Sequence, residues 1–189
     1  MANFGDRHGG VVLAVTVPAL LGVGGDGSTF TAALPFAAEY AEEADAAAFA
    51  AAVRPPDDWG VLLVRKGGFA VARLAGERIV ESKVGQRHVQ GRTKAGGQSQ
   101  QRFARRRDNQ ARQAYEAAAE HAVRILGQRP LVVVSGGDRP AVDEVLGDPR
   151  LKHVTVVEPW LAVPDPRRGV LEQAVRDACS ARIDVVNAE

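Results

Sequence analysis

Apolar positions along the chain repeat with two periods, and the switches between them mark its elements. Residues 11–17 and 28–34 are apolar-rich runs that predict two strands. The stretch Gly22-Val23-Gly24-Gly25-Asp26-Gly27 joins them as a hairpin-type connection, and Pro35 ends the second. Residues 37–53, rich in alanine with interspersed acids, predict a helix closed by Pro55-Pro56. That pair, followed by Asp57-Asp58, is the clearest boundary in the chain. It separates an N-terminal hairpin-and-helix extension, residues 1–54, from a larger domain, residues 55–189.

Beyond the boundary, residues 60–66, 68–74 and 78–84 predict three antiparallel strands joined by the short turns Gly67-Gly68 and Ala75-Gly76-Glu77. Periodicity then vanishes over residues 85–99, an exposed loop rich in Gly, Gln, Arg and Lys. Residues 100–126 predict a long helix. Ala104, Ala111, Tyr115, Ala118, Ala122 and Ile125 form its buried stripe, with Ser99 as N-cap and Gly127 as the C-terminal stop. A short strand at 131–134 turns through Ser135-Gly136-Gly137-Asp138 into a helix at 140–146, capped by Asp138 with Pro140 in its first turn. A strand at 154–157 and a helix at 169–181 follow. The sum is an α/β (mixed α+β) fold: a mixed sheet with an antiparallel meander, covered by helices, plus a small N-terminal lobe.

Composition is that of an ordinary globular protein, 46% apolar and 25% charged over 189 residues. The single cysteine, Cys179, excludes an internal disulfide or a thiolate metal cluster. The N-terminal ten residues lack the basic-then-apolar order of a signal peptide, and no apolar run approaches the roughly 18 residues of a membrane span, so a cytoplasmic protein with no membrane partner is expected. Net charge is only +1, but its distribution changes the picture. Lys83, Arg87, Arg92, Lys94, Arg102, Arg105, Arg106, Arg107 and Arg112 face a single acid, Asp108, across residues 83–112. Such segregation creates a local positive field suited to a polyanion. Arg102, Arg105, Arg106 and Arg107 repel one another in water, which phosphates relieve; with Arg92, Lys94 and Arg112 they form a candidate RNA-backbone surface, extended by Arg87 and His88.

Gly96-Gly97-Gln98 sits at the tip of this basic loop. Two glycines let the chain enter a narrow site and present backbone N–H groups to a reacting centre. Gln98 does not titrate usefully, so it cannot serve as a base, but it can orient a water while the N–H groups stabilise an oxyanion. The tripeptide alone is weak in a chain with 20 glycines. Its surroundings are specific. From Lys94 through Gly96-Gly97-Gln98-Ser99-Gln100-Gln101-Arg102-Phe103-Ala104-Arg105 the sequence resembles, without a gap, the catalytic loop and following helix of the class-one translation termination factors of eukaryotes and archaea. Their pattern is Gly-Gly-Gln-Ser, two variable residues, then Arg-Phe-Ala-Arg.

The order of elements over residues 57–183 is similar to the RNase H-like catalytic domain of those factors, while their codon-reading and partner-binding domains have no counterpart. A stand-alone domain of this type resembles the Vms-like release-factor family, above all its bacterial branch of peptidyl-tRNA hydrolases. The resemblance implies release of nascent chains from peptidyl-tRNA on stalled or split ribosomes, with the large subunit, rRNA and tRNA as partners. It implies no cofactor or metal, and a monomer is expected. Gly96, Gly97 and Gln98 take the catalytic positions. Vms-like members often shift the working glutamine within the loop, which makes Gln100 a rival to Gln98. Two other classes stay open: a non-catalytic ribosome- or RNA-binding module, and a nuclease that trims the tRNA 3′ end.

The remaining candidates point to structure. His8, His88, His121 and His153 lack metal-ligand spacing; His8 reads as solvated and His121, mid-helix among alanines, as structural. Trp59 and Trp160 read as packing residues at strand edges. No nucleotide-binding fingerprint is present.

Overall fold

The computed structural model describes residues 2–86 and 98–188, with the backbone course alone at residues 2 and 98–111. The described residues form a mixed α/β protein with two sheets and five α-helices. The chain divides into two compact units, Met1–Pro55 with Ala178–Glu189, and Pro56–Asp177.

The first unit is built on a four-stranded antiparallel sheet ordered β1 (Val11–Thr16), β2 (Ala19–Gly24), β3 (Thr29–Ala33) and β9 (Arg182–Val186). Where the pattern predicts two strands, the structure has three. The apolar run 11–24 folds back on itself at Val17-Pro18, because proline cannot donate to a ladder. Residues 37–53 do not make one helix either. A 3₁₀ turn at Pro35–Ala37 precedes an irregular stretch, and only Ala46–Ala52 (α2) is helical. Asp45 accepts hydrogen bonds from the Ala47 and Ala48 N–H groups, both at 2.8 Å, and so caps α2 where a longer helix would have placed its carboxylate in the middle. The irregular stretch carries Tyr40 inward to meet Phe49 edge-on at 4.9 Å. With Leu20, Phe30 and Ala32 these rings form the core of the unit. The C-terminal helix ends at Ala178, earlier than its pattern suggests, and the residues after it supply β9 to this sheet, although the sequence boundary assigned them to the larger domain.

A short helix, α1 (Ala2–Arg7), brings Phe4 against Phe30 and is followed by His8, whose Nδ1 donates to Asp26 at 2.8 Å. That bond and a second from the Ser28 N–H hold the Asp26 carboxyl at about 2. A carboxyl held below its ordinary value stabilises the fold above that ordinary value, and the contribution disappears as pH falls through the folded one. Carboxyl-detected NMR is therefore expected to give Asp26 a midpoint of about 2, returning toward 3.8 in His8→Ala. An unchanged midpoint in that variant contradicts the pairing.

The second unit holds a five-stranded sheet ordered β6 (Arg78–Gln86), β5 (Gly68–Ala75), β4 (Trp59–Arg65), β7 (Leu131–Gly137) and β8 (Val154–Leu161). β4, β5 and β6 are the expected antiparallel meander, while β4, β7 and β8 run parallel. One face, with Leu62, Val64, Phe69, Val71 and Val133, packs against α3 (Gln98–Leu126) and α4 (Arg139–Leu146). The helix side of this contact is largely alanine, with Ala118, Ala119 and Ala122 buried, so α3 lies close on the sheet and Ile125 and Leu126 fill its far end. Each fully buried Leu or Ile contributes about 1.5–3 kcal/mol. Residues of the opposite face, Val61, Leu63, Ala70 and Val134, are fully buried too. α5 (Arg168–Ala178) buries Leu171 and Ala174, and its Arg168 donates to Ser82 Oγ of β6 at 3.0 Å.

Candidate functional site

The strand pairings fix where the candidate loop leaves the sheet. β6 runs antiparallel to β5 and hence in the direction of β4, β7 and β8, so all four end at one edge. Gln86, the last residue of β6, pairs with Gly68 at that edge. Arg92, Lys94, Gly96 and Gly97 follow it and lie outside the described residues, as do Arg87 and His88. The backbone resumes at Gln98 as the first residue of α3. Gln98, Gln100, Arg102, Arg105, Arg106 and Arg107 thus belong to the first turns of this helix, which starts two residues before the predicted position. Ser99 accordingly lies within the first turn and not at the N-cap.

Of the predicted stripe, Tyr115, Ala118, Ala122 and Ile125 are buried against the sheet; Ala104 and Ala111 belong to the stretch whose side chains are outside the description. The 29 residues of α3 extend about 43 Å. The strands beneath have seven to nine residues, so the sheet is too short to seat the whole helix. Its apolar C-terminal part is the anchor, and its arginine-rich N-terminal part carries the candidate chemistry. Arg112, at the junction, is exposed. Gly127 ends the helix with φ +74°, the left-handed conformation expected of a C-terminal stop.

His121 lies on the anchored part, stacked on Phe69 with ring centroids 5.5 Å apart. Burial first, then the positive charges of Lys83 and Arg124, lower its pKa, so the ring packs as a neutral imidazole. Among the described residues no three His, Cys, Asp or Glu side chains gather to hold a metal. Trp59 is fully buried in β4, with its indole N–H on the Gly76 carbonyl at 2.8 Å. Trp160 is half-buried beneath the Arg139 guanidinium at 4.3 Å.

The same strand-end edge carries a cluster that the sequence pattern did not reveal. Arg65, at the end of β4, lies 3.5 Å from Asp138 and 3.7 Å from Asp165, and donates to the Val163 carbonyl at 3.0 Å. Asp138 stands at the N-cap position of α4, yet its carboxylate makes no capping bond. It is turned to Arg65 instead, while its N–H donates to the Val64 carbonyl at 2.8 Å. These acids are 73 and 100 positions from Arg65 in the chain, so only the parallel topology brings them together. They brace the edge from which the loop departs.

Residues 57–184 match the family described as the Actinobacteria/chloroflexi VLRF1 release factor, well over half of the chain. The chain belongs to that family. Two archaeal relatives of this VLRF1-family chain are also similar to it. Peptide chain release factor subunit 1 of Thermococcus onnurineus (strain NA1) is 30% identical over 108 residues, 53% of this chain and 26% of the relative. The protein of the same description from Pyrococcus abyssi (strain GE5 / Orsay) is 30% identical over 102 residues, 51% of this chain and 25% of the relative. The chain thus spans about a quarter of the length of these curated relatives. Among its described residues no helix is long and apolar enough to cross a membrane.

Proposed function

We propose that this VLRF1-family chain is a peptidyl-tRNA hydrolase that frees nascent peptides from stalled ribosomes in the cytoplasm. The observation that carries the proposal is the gapless sequence run Gly96-Gly97-Gln98-Ser99, then Arg102-Phe103-Ala104-Arg105, in a release-factor family member, with α3 beginning at Gln98 of that run. Gly96 and Gly97 let the loop enter the peptidyl-transferase site of the large subunit. Gln98, or Gln100 in its place, orients a water. The water oxygen attacks the ester carbonyl, and the tetrahedral oxyanion is held by backbone N–H groups. The ester C–O bond then breaks, the proton passes to the tRNA 3′ oxygen, and the products are a free peptide acid and an intact tRNA. No metal or cofactor takes part.

The test is incubation with purified large subunits carrying peptidyl-tRNA. Free peptide and tRNA retaining its terminal nucleotides are the expected products. Binding without release identifies a passive RNA-binding module, and shortened tRNA a nuclease; either result overturns the proposal.

Arg102, Arg105, Arg106 and Arg107, with Arg92, Lys94 and Arg112, bind rRNA or tRNA phosphates and position the loop without reading sequence. Replacing the four helix arginines with glutamine is expected to flatten the log–log dependence of ribosome affinity on salt by about 0.7–0.9 for each phosphate no longer neutralised. Sedimentation binding over a salt series measures this slope, and an unaltered slope rules these arginines out as phosphate ligands.

A further inference from the structure

The sheet of the first unit has an open border. β9 pairs with β3 on one side and with no strand on the other among the described residues. All of its residues, Arg182 to Val186, are exposed. Ile183 and Val185 stand opposite Ala32 and Phe30, so they lie on the face that carries the core of the unit, yet they remain 47% and 51% exposed. An edge strand of this kind presents outward-pointing N–H and C=O groups beside apolar side chains left half in water, and so can take one more strand.

The charges of β9 say which strand. Arg182 and Asp184 lie on the opposite face, two positions apart and both largely exposed, with Arg182 Nε 3.0 Å from the Asp184 carboxylate. Charges on an edge strand commonly deter pairing. Here the signs are opposite, so they deter every self-pairing but one. A second β9 laid antiparallel across a two-fold axis, with its apolar face aligned to the first, is centred on a single residue. Centred on Arg182 or Asp184, it sets like charges against each other. Centred on Val185 or Val186, it leaves both charges without an opposite one. Centred on Ile183, it sets Arg182 of each copy against Asp184 of the other, Ile183 against Ile183 and Val185 against Ala181.

We propose that the β9 edge binds a second copy of this chain, two β9 strands pairing antiparallel about Ile183 to join two sheets into one. The backbone groups of the edge pair, the half-exposed Ile183 and Val185 are covered, and the charge contact is made twice. A strand of unrelated sequence meets the backbone groups but not both charges. The seam is short, well below the roughly 1,200–2,000 Å² of a standard stable interface, so the dimer forms only as the chain is concentrated. It takes the place of the monomer expected from the sequence.

Sedimentation equilibrium of the full chain, from micromolar to millimolar concentration and without ribosomes, tests this. The mass is expected to rise from monomer to dimer. Arg182→Asp lines the seam with carboxylates alone and Asp184→Arg with guanidiniums alone, so each variant by itself associates about tenfold more weakly, the scale of turning two cross-strand attractions into repulsions. Mixed in equal amounts, the two variants place opposite charges at both contacts and recover dimer formation. Neither variant holds the intrachain pair, so recovery on mixing comes from contact between chains. In a Cys179→Ala background, Ile183→Cys is expected to crosslink to dimer on mild oxidation and Asp184→Cys is not, since only position 183 faces itself. The proposal is overturned by a chain that stays monomeric throughout, by single charge variants that associate as the wild type does, by a mixture no more associated than its components, or by crosslinking through position 184 in place of 183.

Discussion

Peptide release by Gln98→Ala is expected to fall by about 100-fold or more relative to the unaltered chain, the scale of removing one polar group that acts in the transition state. The expectation follows from what glutamine can do. Its amide neither accepts a proton at neutral pH nor attacks a carbonyl, so its contribution is to hold a water in line with the ester. Removing it leaves loop entry and phosphate binding intact. The loss is therefore expected in the single-turnover rate, with ribosome affinity unchanged. Gln100→Ala decides which glutamine acts. Positions 98 and 100 of α3 are separated by about 200° around the helix axis, so one bound substrate meets one of them. One single variant should lose the activity, the other should keep it, and the double variant should match the worse single. If all three release peptide at the full rate, the loop is not the catalytic element.

The candidate loop is proposed from residue identity in an unbroken run, which needs no tertiary structure to read, and its residues 87–97 lie outside the described ones. The second unit was legible for a different reason. In β4 and β5 nearly every side chain is buried on one face or the other, and such strands read as continuous apolar runs between glycines. In α3 the stripe from Tyr115 to Ile125 repeats at helical spacing because one sheet face demands it. The first unit was harder. Its residues 18–24 fall between the two predicted strands, yet six of them form β2 inside the sheet. The alanine-rich run that suggested a long helix has Tyr40 near its start, and the burial of that ring outweighs helix propensity there. β9 was illegible because its partner, β3, lies about 150 residues upstream, and nothing local distinguishes Arg182–Val186 from a frayed helix end. The bracing of Arg65 by Asp138 and Asp165 is non-local in the same sense.

Gly136→Ala is expected to destabilise the chain by about 3 kcal/mol, at the upper end of what overpacking costs. A Cβ at this position lies well inside contact distance of the Leu161 carbonyl oxygen and 2.7 Å from Leu161 Cβ. The obstacle is the backbone of β8, which cannot rotate aside as a side-chain terminus would. The β7–β8 register is already irregular here, with Gly136 placed opposite Leu161 across a shift after Val134. To admit a methyl group β8 has to move away from β7. That movement strains the end of the parallel ladder and the segment after it, where the Val163 carbonyl accepts from Arg65. Thermal denaturation is expected to show a fall of about 6–12 °C, at about 2–4 °C per kcal/mol for a chain of this length. Gly169→Ala provides the contrast, because that glycine lies in α5 with nothing within 4 Å of a new Cβ. There the methyl group meets no neighbour and alanine's better helix propensity raises stability by up to about 1 kcal/mol. A Gly136→Ala chain that melts with the wild type would mean that β8 yields freely, and that the edge below the loop is not the rigid platform its packing indicates. Because the loop departs from that edge, the same substitution should also lower release activity at temperatures below its melting point, while Gly169→Ala should not.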